Sequence, residues 1–299
     1  MTSPATAPTT RRRDFTWIAV AYAVALLVAL LGGAWLDWPH PLGLAFAADC
    51  AATLAVFAFS VAFDNSSFYD AYWSVAPPLL GLYFISQAVD DASGGRQLVV
   101  LALVTWWAVR LTYNWARGWS GLGHEDWRYV DLRRASGRLY WLVSLVGIHL
   151  MPTIQVFLGC LALWPALAVG THPLNRLDLL AAIVTSAAIW IEMRADKQLV
   201  RFRDANPPRD AILASGLWSL SRHPNYFGEM SFWWGLWLFG LAADPRWWWT
   251  VVGPLAITLM FRFASLPLIE TRMLQRRPHF AEHQRRVSMV IPWWPTGQR

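Results

Sequence analysis

Leu220-Ser221-Arg222-His223-Pro224-Asn225-Tyr226-Phe227-Gly228-Glu229-Met230 sets a dense group of polar side chains against the start of a long apolar run. From Pro224 to Ala243 the run is about twenty residues, the length of one bilayer crossing. Proline suits the first helical position, where its missing N–H costs nothing. The remaining N–H groups of that first turn have no intrahelical acceptor, and with Arg222 and His223 just ahead they read as a site for phosphate oxygens. A capped helix with a snorkelling arginine would use only part of this set. Ionisable groups at a membrane helix are costly, and read as functional by default.

Working outward, uncharged runs recur along the whole chain. Hydrophobic residues make up 56% of it and charged ones only 15%, which excludes an ordinary soluble domain. The pattern predicts an all-α, polytopic membrane helix bundle of about eight (seven to eight) transmembrane helices. The expected spans are 15–36, 42–63, 71–89, 97–115, 139–164 with a kink at Pro152, a sixth from Asp178, 224–243 and 247–268. The sixth turns charged after Ile191 and ends at Asn206-Pro207-Pro208. Seven spans result if the first hairpin is re-entrant. The 21 tryptophans suit both the membrane–water boundary and core stacking.

Residues 1–14 read as a disordered basic tail ending in Arg11-Arg12-Arg13, and 15–299 as a single membrane domain. The apolar run after the tail is too long for a signal sequence and reads as a retained first span. With eight spans, the basic segments all fall on one side: the N-terminus, the loop after span four, the stretch before Pro224 and the C-terminal tail. Both termini are then cytoplasmic. The net charge of +6 comes from these clusters and fits topology and anionic lipid, not nucleic acid. Cys50 and Cys160 lie in apolar surroundings and read as core residues. No metal site is expected, and no obligate protein partner.

Further polar groups fall at the same side. Arg110 and Asn114 are one turn apart on one helix, and the loop His124-Glu125-Asp126-Trp127-Arg128-Tyr129 reads equally as solvated loop or as site. Glu192 and Asp196 are one turn apart, a like-charge pair that costs stability unless cations neutralise it, with Arg203 two turns on. These acids suggest a ribose or amide site, although a solvated helix face has the same pattern. Glu270 and Arg272 precede Arg276, and the two arginines are candidate paired donors to phosphate. A positive-inside signal accounts for them as well. Gly121-Leu122-Gly123 lacks the closing residue and the βαβ setting of a dinucleotide fingerprint. The candidate cofactor-binding set is therefore Asn114, Glu192, Asp196, Arg203, Arg222, His223, Asn225, Tyr226, Glu229, Glu270 and Arg272. Most of it lies in the C-terminal half, about 177–299.

Arg222 to Glu229, RHPNYFGE, is similar to the motif of the steroid 5-alpha-reductase and sterol-reductase group. Asp196 precedes Asn225 at the spacing of that group's acid and asparagine. The runs RLTYNW, NWARGW, HEDWRY, SLPLIETRML and VSMVIP resemble the bacterial DUF1295 membrane proteins, a branch of the same group. The likeness covers the chain from about Asp64 onward. It implies a membrane reductase that binds NADPH in a cytosolic cavity. The expected reaction is hydride transfer to a C=C bond of a steroid-like or other hydrophobic lipid. By this resemblance Asp196, Arg203, Asn225, Tyr226 and Glu229 contact the cofactor. Isoprenylcysteine carboxyl methyltransferases carry a similar RHPxYxG and bind S-adenosylmethionine, which makes that activity the alternative. A membrane scaffold or transporter is a further alternative, but the inverted repeats of transporters are not found.

Reduction of an enone needs its carbonyl oxygen polarised as charge develops there, and an acid–tyrosine pair in an apolar setting can do so. The connector Asp64-Asn65-Ser66-Ser67-Phe68-Tyr69-Asp70-Ala71-Tyr72 carries no Lys or Arg. Asp70 with Tyr69 or Tyr72 is the candidate catalytic pair, and a helix cap at Asp70 is the alternative reading.

Overall fold

A computed structural model describes residues 8–35 and 38–296. Residues 1–7 of the expected tail, Leu36 at the end of the expected first span and Asp37 just after it lie outside the described residues. All regular structure among the described residues is helical. The long helices are α1 (Pro8–Trp35), α2 (Pro41–Ala62), α3 (Tyr72–Ser86) and α4 (Gly94–Gly118). A short α5 (Trp127–Ser136) leads into α6 (Tyr140–Ser144), a π-helical turn and α7 (Met151–Cys160). Then follow α8 (Arg176–Asp204), α9 (Pro224–Ala243), α10 (Val252–Met260), α11 (Leu266–Arg276) and α12 (Phe280–Arg286).

Stretches 11–35, 41–62, 94–118, 127–169 and 245–276 are long and apolar enough to cross a membrane. The expected break at Pro152 takes the form of the π-helical turn Leu145–Leu150 just before α7. Arg11 to Arg13 belong to α1 and not to a loose tail, and the Arg11 guanidinium donates to the Ala116 carbonyl at 2.8 Å. The basic loop likewise contains a helix, α5, capped by the Asp126 side chain.

α8 and α9 pack along one another, and glycines set how closely. A Cβ on Gly228 would lie 2.7 Å from the Glu192 Cβ and 2.8 Å from the Ala188 carbonyl oxygen. Small residues at helix contacts are the usual means of close approach in membranes, where no hydrophobic force separates protein from lipid. The core joins α4 to this pair: Trp107 stacks on Phe232 at 4.6 Å between ring centres and meets Trp233 edge-on.

The connector between α2 and α3 is buried, from Asn65 through Tyr69. α3 has 15 residues, about 22 Å at about 1.5 Å per residue, less than a bilayer core. The connector therefore dips into the bundle and bonds the loop after α4: the Asn65 side chain donates to the Leu122 carbonyl at 2.8 Å, and Glu125 accepts the Ser66 N–H at 2.7 Å. At the opposite end of the bundle, buried Arg96 forks onto Asp178 at 2.7 and 2.9 Å and donates to the carbonyls of His172 and Pro173.

Candidate functional site

Three helices place a polar cluster at one end of the bundle. α4 contributes Trp107, Arg110 and Asn114, spaced along one face; α8 contributes Glu192 and Asp196; the first turns of α9 contribute Asn225 and Glu229. Buried Arg110 pairs with Glu192 and, at 3.0 Å, with Asp196. Asp196 also accepts from Asn114 at 3.0 Å and from the Asn225 side chain. The Asn225 Oδ1 is buried and lacks a donor. Glu229 accepts two indole N–H groups, Trp107 at 2.9 Å and Trp233 at 2.8 Å, and its carboxyl reaches Glu192. Two carboxyl groups, Glu192 and Asp196, thus share one guanidinium, and Glu229, held by the indoles, lies within its electrostatic range.

Asn114, Glu192, Asp196, Asn225 and Glu229 are therefore brought together as the sequence predicts. Tyr226 lies beside them, edge-on to His223 and Phe261 and within electrostatic range of Arg128. Arg203 is exposed near the end of α8. Arg110, which the sequence pairs with Asn114, joins the cluster with Trp107 and Trp233, which lie outside the candidate set. The signal was their helical spacing to Asn114 and Glu229, which marks shared faces.

Arg222, His223, Glu270 and Arg272 make their recorded contacts outside this cluster. Buried Arg222 donates to Glu270 at 2.7 and 3.2 Å and to the carbonyls of Gln284 and Val287. His223 and Gln284 complete the shell of Glu270 at 3.1 and 2.8 Å. The Arg222 N–H bonds Ser288, and the Trp293 N–H bonds Leu220, so the cluster fastens the C-terminal segment to the start of α9. Arg272 pairs with Asp131 at 3.0 Å and lies 3.7 Å over the Trp127 ring, tying α11 to α5. Arg222 thus spends its guanidinium on Glu270 and two carbonyls, and Arg272 is drawn to Asp131 and Trp127.

Tyr72 bonds an acid other than Asp70. The Tyr72 hydroxyl donates to Asp49 at 3.0 Å, while Asp70 accepts from Tyr129 at 2.8 Å. Tyr69 shares a hydrogen bond with Thr153 at 2.7 Å. Asp49 is the one acid inside the apolar run of α2, and that isolation was its signal.

Two cavities flank this region. The first, about 270 Å³, is apolar and lies between α1, α2 and α3, with Asp49, Tyr22 and Tyr72 in its wall. Leu26, Leu30 and Leu79 line it and are 41%, 63% and 40% exposed, so it opens sideways on the lipid-facing surface. The second, about 250 Å³, is polar, and its wall includes Ser67, Asp70, Asn114, Trp119 and Asp126. Burial pushes the Asp126 carboxyl up, but hydrogen bonds and charge from Arg128 hold it below the usual range. The connector 67–72 separates the two spaces: Ser67 and Asp70 face the polar cavity, Tyr72 the apolar one.

The sequence profile described as "Protein of unknown function (DUF1295)" matches residues 56–287. The chain belongs to the DUF1295 family. An uncharacterised protein of Schizosaccharomyces pombe is 28% identical over 256 residues, covering 78% of this chain and 74% of the relative. No solved structure matches. The DUF1295 match spans the Arg110–Asp196–Asn225 cluster, Asp70 and Tyr72, and begins within α2 just after Asp49.

Proposed function

We propose that this DUF1295 protein is a membrane reductase that uses NADPH to reduce a C=C bond conjugated to a carbonyl in a steroid-like or other lipid. The observation that carries the reading is the shared wall: a polar cavity that reaches Asp196 through Asn114 lies back to back with a lipid-open cavity holding an acid–tyrosine pair. In this reading the polar cavity opens to the cytoplasm of a bacterial inner membrane, with both termini on that side.

The residues at the cluster fit a nucleotide cofactor on one specific ground. A buried amide oxygen without a donor, as at Asn225, calls for a ligand hydroxyl or amine. Asp196 and Asn225 would hold that group, with Tyr226 beside it. NADPH, when bound, supplies the hydride. On the lipid side, Tyr72 is placed to meet a carbonyl oxygen entering between α1 and α3. When Asp49 carries the proton, it donates to the Tyr72 oxygen and leaves the Tyr72 hydroxyl hydrogen free for that carbonyl. The low polarity around the pair strengthens the interaction as negative charge builds on the substrate oxygen.

Thermal melting of the detergent-purified full chain tests the reading. NADPH at about a hundred-fold excess over its Kd is expected to raise Tm by on the order of 5 °C. Asn225→Ala is expected to abolish that rise. A rise with S-adenosylmethionine and none with NADPH or NADH would replace the reductase with the methyltransferase alternative.

A further inference from the structure

The polar cavity has a feature that the Asp196–Asn225 cluster does not need. Trp115 and Trp119 both line it, their rings stacked at 5.2 Å and 30°. Each indole N–H is buried and has no acceptor, and Trp119 as a whole is 7% exposed. A buried donor left unpaired is disfavoured, so two side by side at a cavity wall point to an acceptor brought by a ligand. The same cavity presents Asp70, which no arginine or lysine pairs among the ion pairs of the described residues. Tyr129 and Ser67 bond its carboxyl, and lone pairs remain for a ligand N–H. The wall thus offers a flat aromatic face, an N–H donor and a carboxyl acceptor.

Position narrows the ligand further. At one side of the cavity, Asn114 hands over to Asp196 and Asn225. At another, Asp70 stands two residues before Tyr72, in the wall shared with the lipid cavity. Tyr22 closes this partition: it lines the lipid cavity and its hydroxyl donates to the Phe68 carbonyl at 2.9 Å. In the reductase reading, the group that passes from nucleotide to lipid crosses this partition.

We propose that the cavity walled by Trp115, Trp119, Asn114 and Asp70 is the subsite for a planar, carboxamide-bearing ring, with the indole N–H groups answering the amide oxygen and Asp70 the amide nitrogen. The assignment rests on the reductase reading and adds to it the residues that recognise the reacting end of the cofactor. An amide is the group that suits both walls at once, since it carries an acceptor and a donor on one planar unit. A methyl ketone in its place keeps the oxygen and loses the N–H, so Asp70 is the residue that tells the two apart.

Titration of the purified full chain by intrinsic fluorescence or calorimetry tests this with NADP⁺, its 3-acetylpyridine analogue and 2′,5′-ADP, which has no ring. Wild type is expected to prefer NADP⁺ over the analogue by about ten-fold, from one hydrogen bond. In Asp70→Asn that preference is expected to fall to within about two-fold, and Trp119→Phe is expected to weaken both dinucleotides about ten-fold. Affinity for 2′,5′-ADP is expected to stay the same in both variants, which also shows that they fold. An undiminished preference in Asp70→Asn, or equal losses for 2′,5′-ADP and the dinucleotides, overturns the subsite and leaves the reductase standing. Failure of all three ligands to bind wild type overturns both.

Discussion

Asn225 gives Asp196 a hydrogen bond and keeps a buried oxygen without a donor. Removing the side chain deletes both, so Asn225→Ala is expected to lose nucleotide-dependent stabilisation while changing the unliganded Tm little. Tyr72→Phe and Asp49→Asn act on the other cavity. Each is expected to keep the NADPH-dependent rise in Tm and to lower the rate of NADPH oxidation with an enone lipid by ~10²-fold or more. Equal loss of nucleotide binding in these variants would place the pair outside the lipid site. Asp70 brings a pH dependence of its own. Burial pushes its carboxyl up to about 7, opposed by hydrogen bonds from Tyr129 and Ser67, while Asp126 pushes it further up and Arg128 pulls it down. An acid with a raised value in the fold holds its proton more tightly there than in the unfolded chain. Stability is therefore fully present below the unfolded value of ~4 and is lost as pH rises to about 7. Asp70→Asn has no such loss. Its Tm relative to wild type is expected to climb from pH 5 to 7.5 and then level off, and a difference that ignores pH would refute the assignment.

At the scale of elements, the contact of α8 with α9 positions the chemistry. Gly228 sits where any side chain would press on Glu192 and on the Ala188 carbonyl. Gly228→Ala is expected to destabilise by ~1–3 kcal/mol, as overpacking does, and to weaken NADPH binding by shifting Glu192 and Asp196 away from Arg110. Circular-dichroism melts with and without nucleotide separate the two effects; a variant that melts like wild type and binds fully would show that the helices have room to part. This arrangement also explains what was legible beforehand. Asn114, Glu192, Asp196, Asn225 and Glu229 could be read because helical spacing and isolation among apolar residues mark them within their own segments. The fate of Arg222 and Arg272 could not. Their partners Glu270, Val287 and Asp131 come from distant segments, and no local pattern announces which acid an arginine will meet. Tyr72 and Asp70 are neighbours in sequence, whereas Asp49 reaches Tyr72 across the gap between α2 and α3. The buried dip of the connector left no trace in hydropathy, since its polar groups are satisfied by Leu122 and Glu125 from beyond α4.

For the whole molecule, contacts sort the chain into two ends. Arg11 bonds Ala116, Arg133 pairs with Asp64, Arg272 with Asp131 and Arg222 with Glu270, so the basic segments gather at one end. The Val89 N–H bonds Ala168, Arg96 holds Asp178, and the His172 N–H bonds Ala243 at the other. α8 connects them. Its 29 residues reach about 43 Å, more than a bilayer core of about 30 Å. Its half after Ile191 is charged, so the helix is not uniformly apolar. If α8 crosses, Asp210 beyond its C-terminal end and Thr171 before its start lie on opposite sides of the membrane. Single cysteines at these exposed positions, in a chain whose Cys50 and Cys160 are replaced by alanine, report this with a membrane-impermeant maleimide. Asp210→Cys and Arg138→Cys are expected to label only when the cytoplasmic face is accessible, and Thr171→Cys and Asp91→Cys only from the other face. Labelling of Asp210→Cys and Thr171→Cys from one side would mean that α8 does not cross. The polar cavity would then open away from the NADPH pool, and the proposed chemistry would lose its source of hydride.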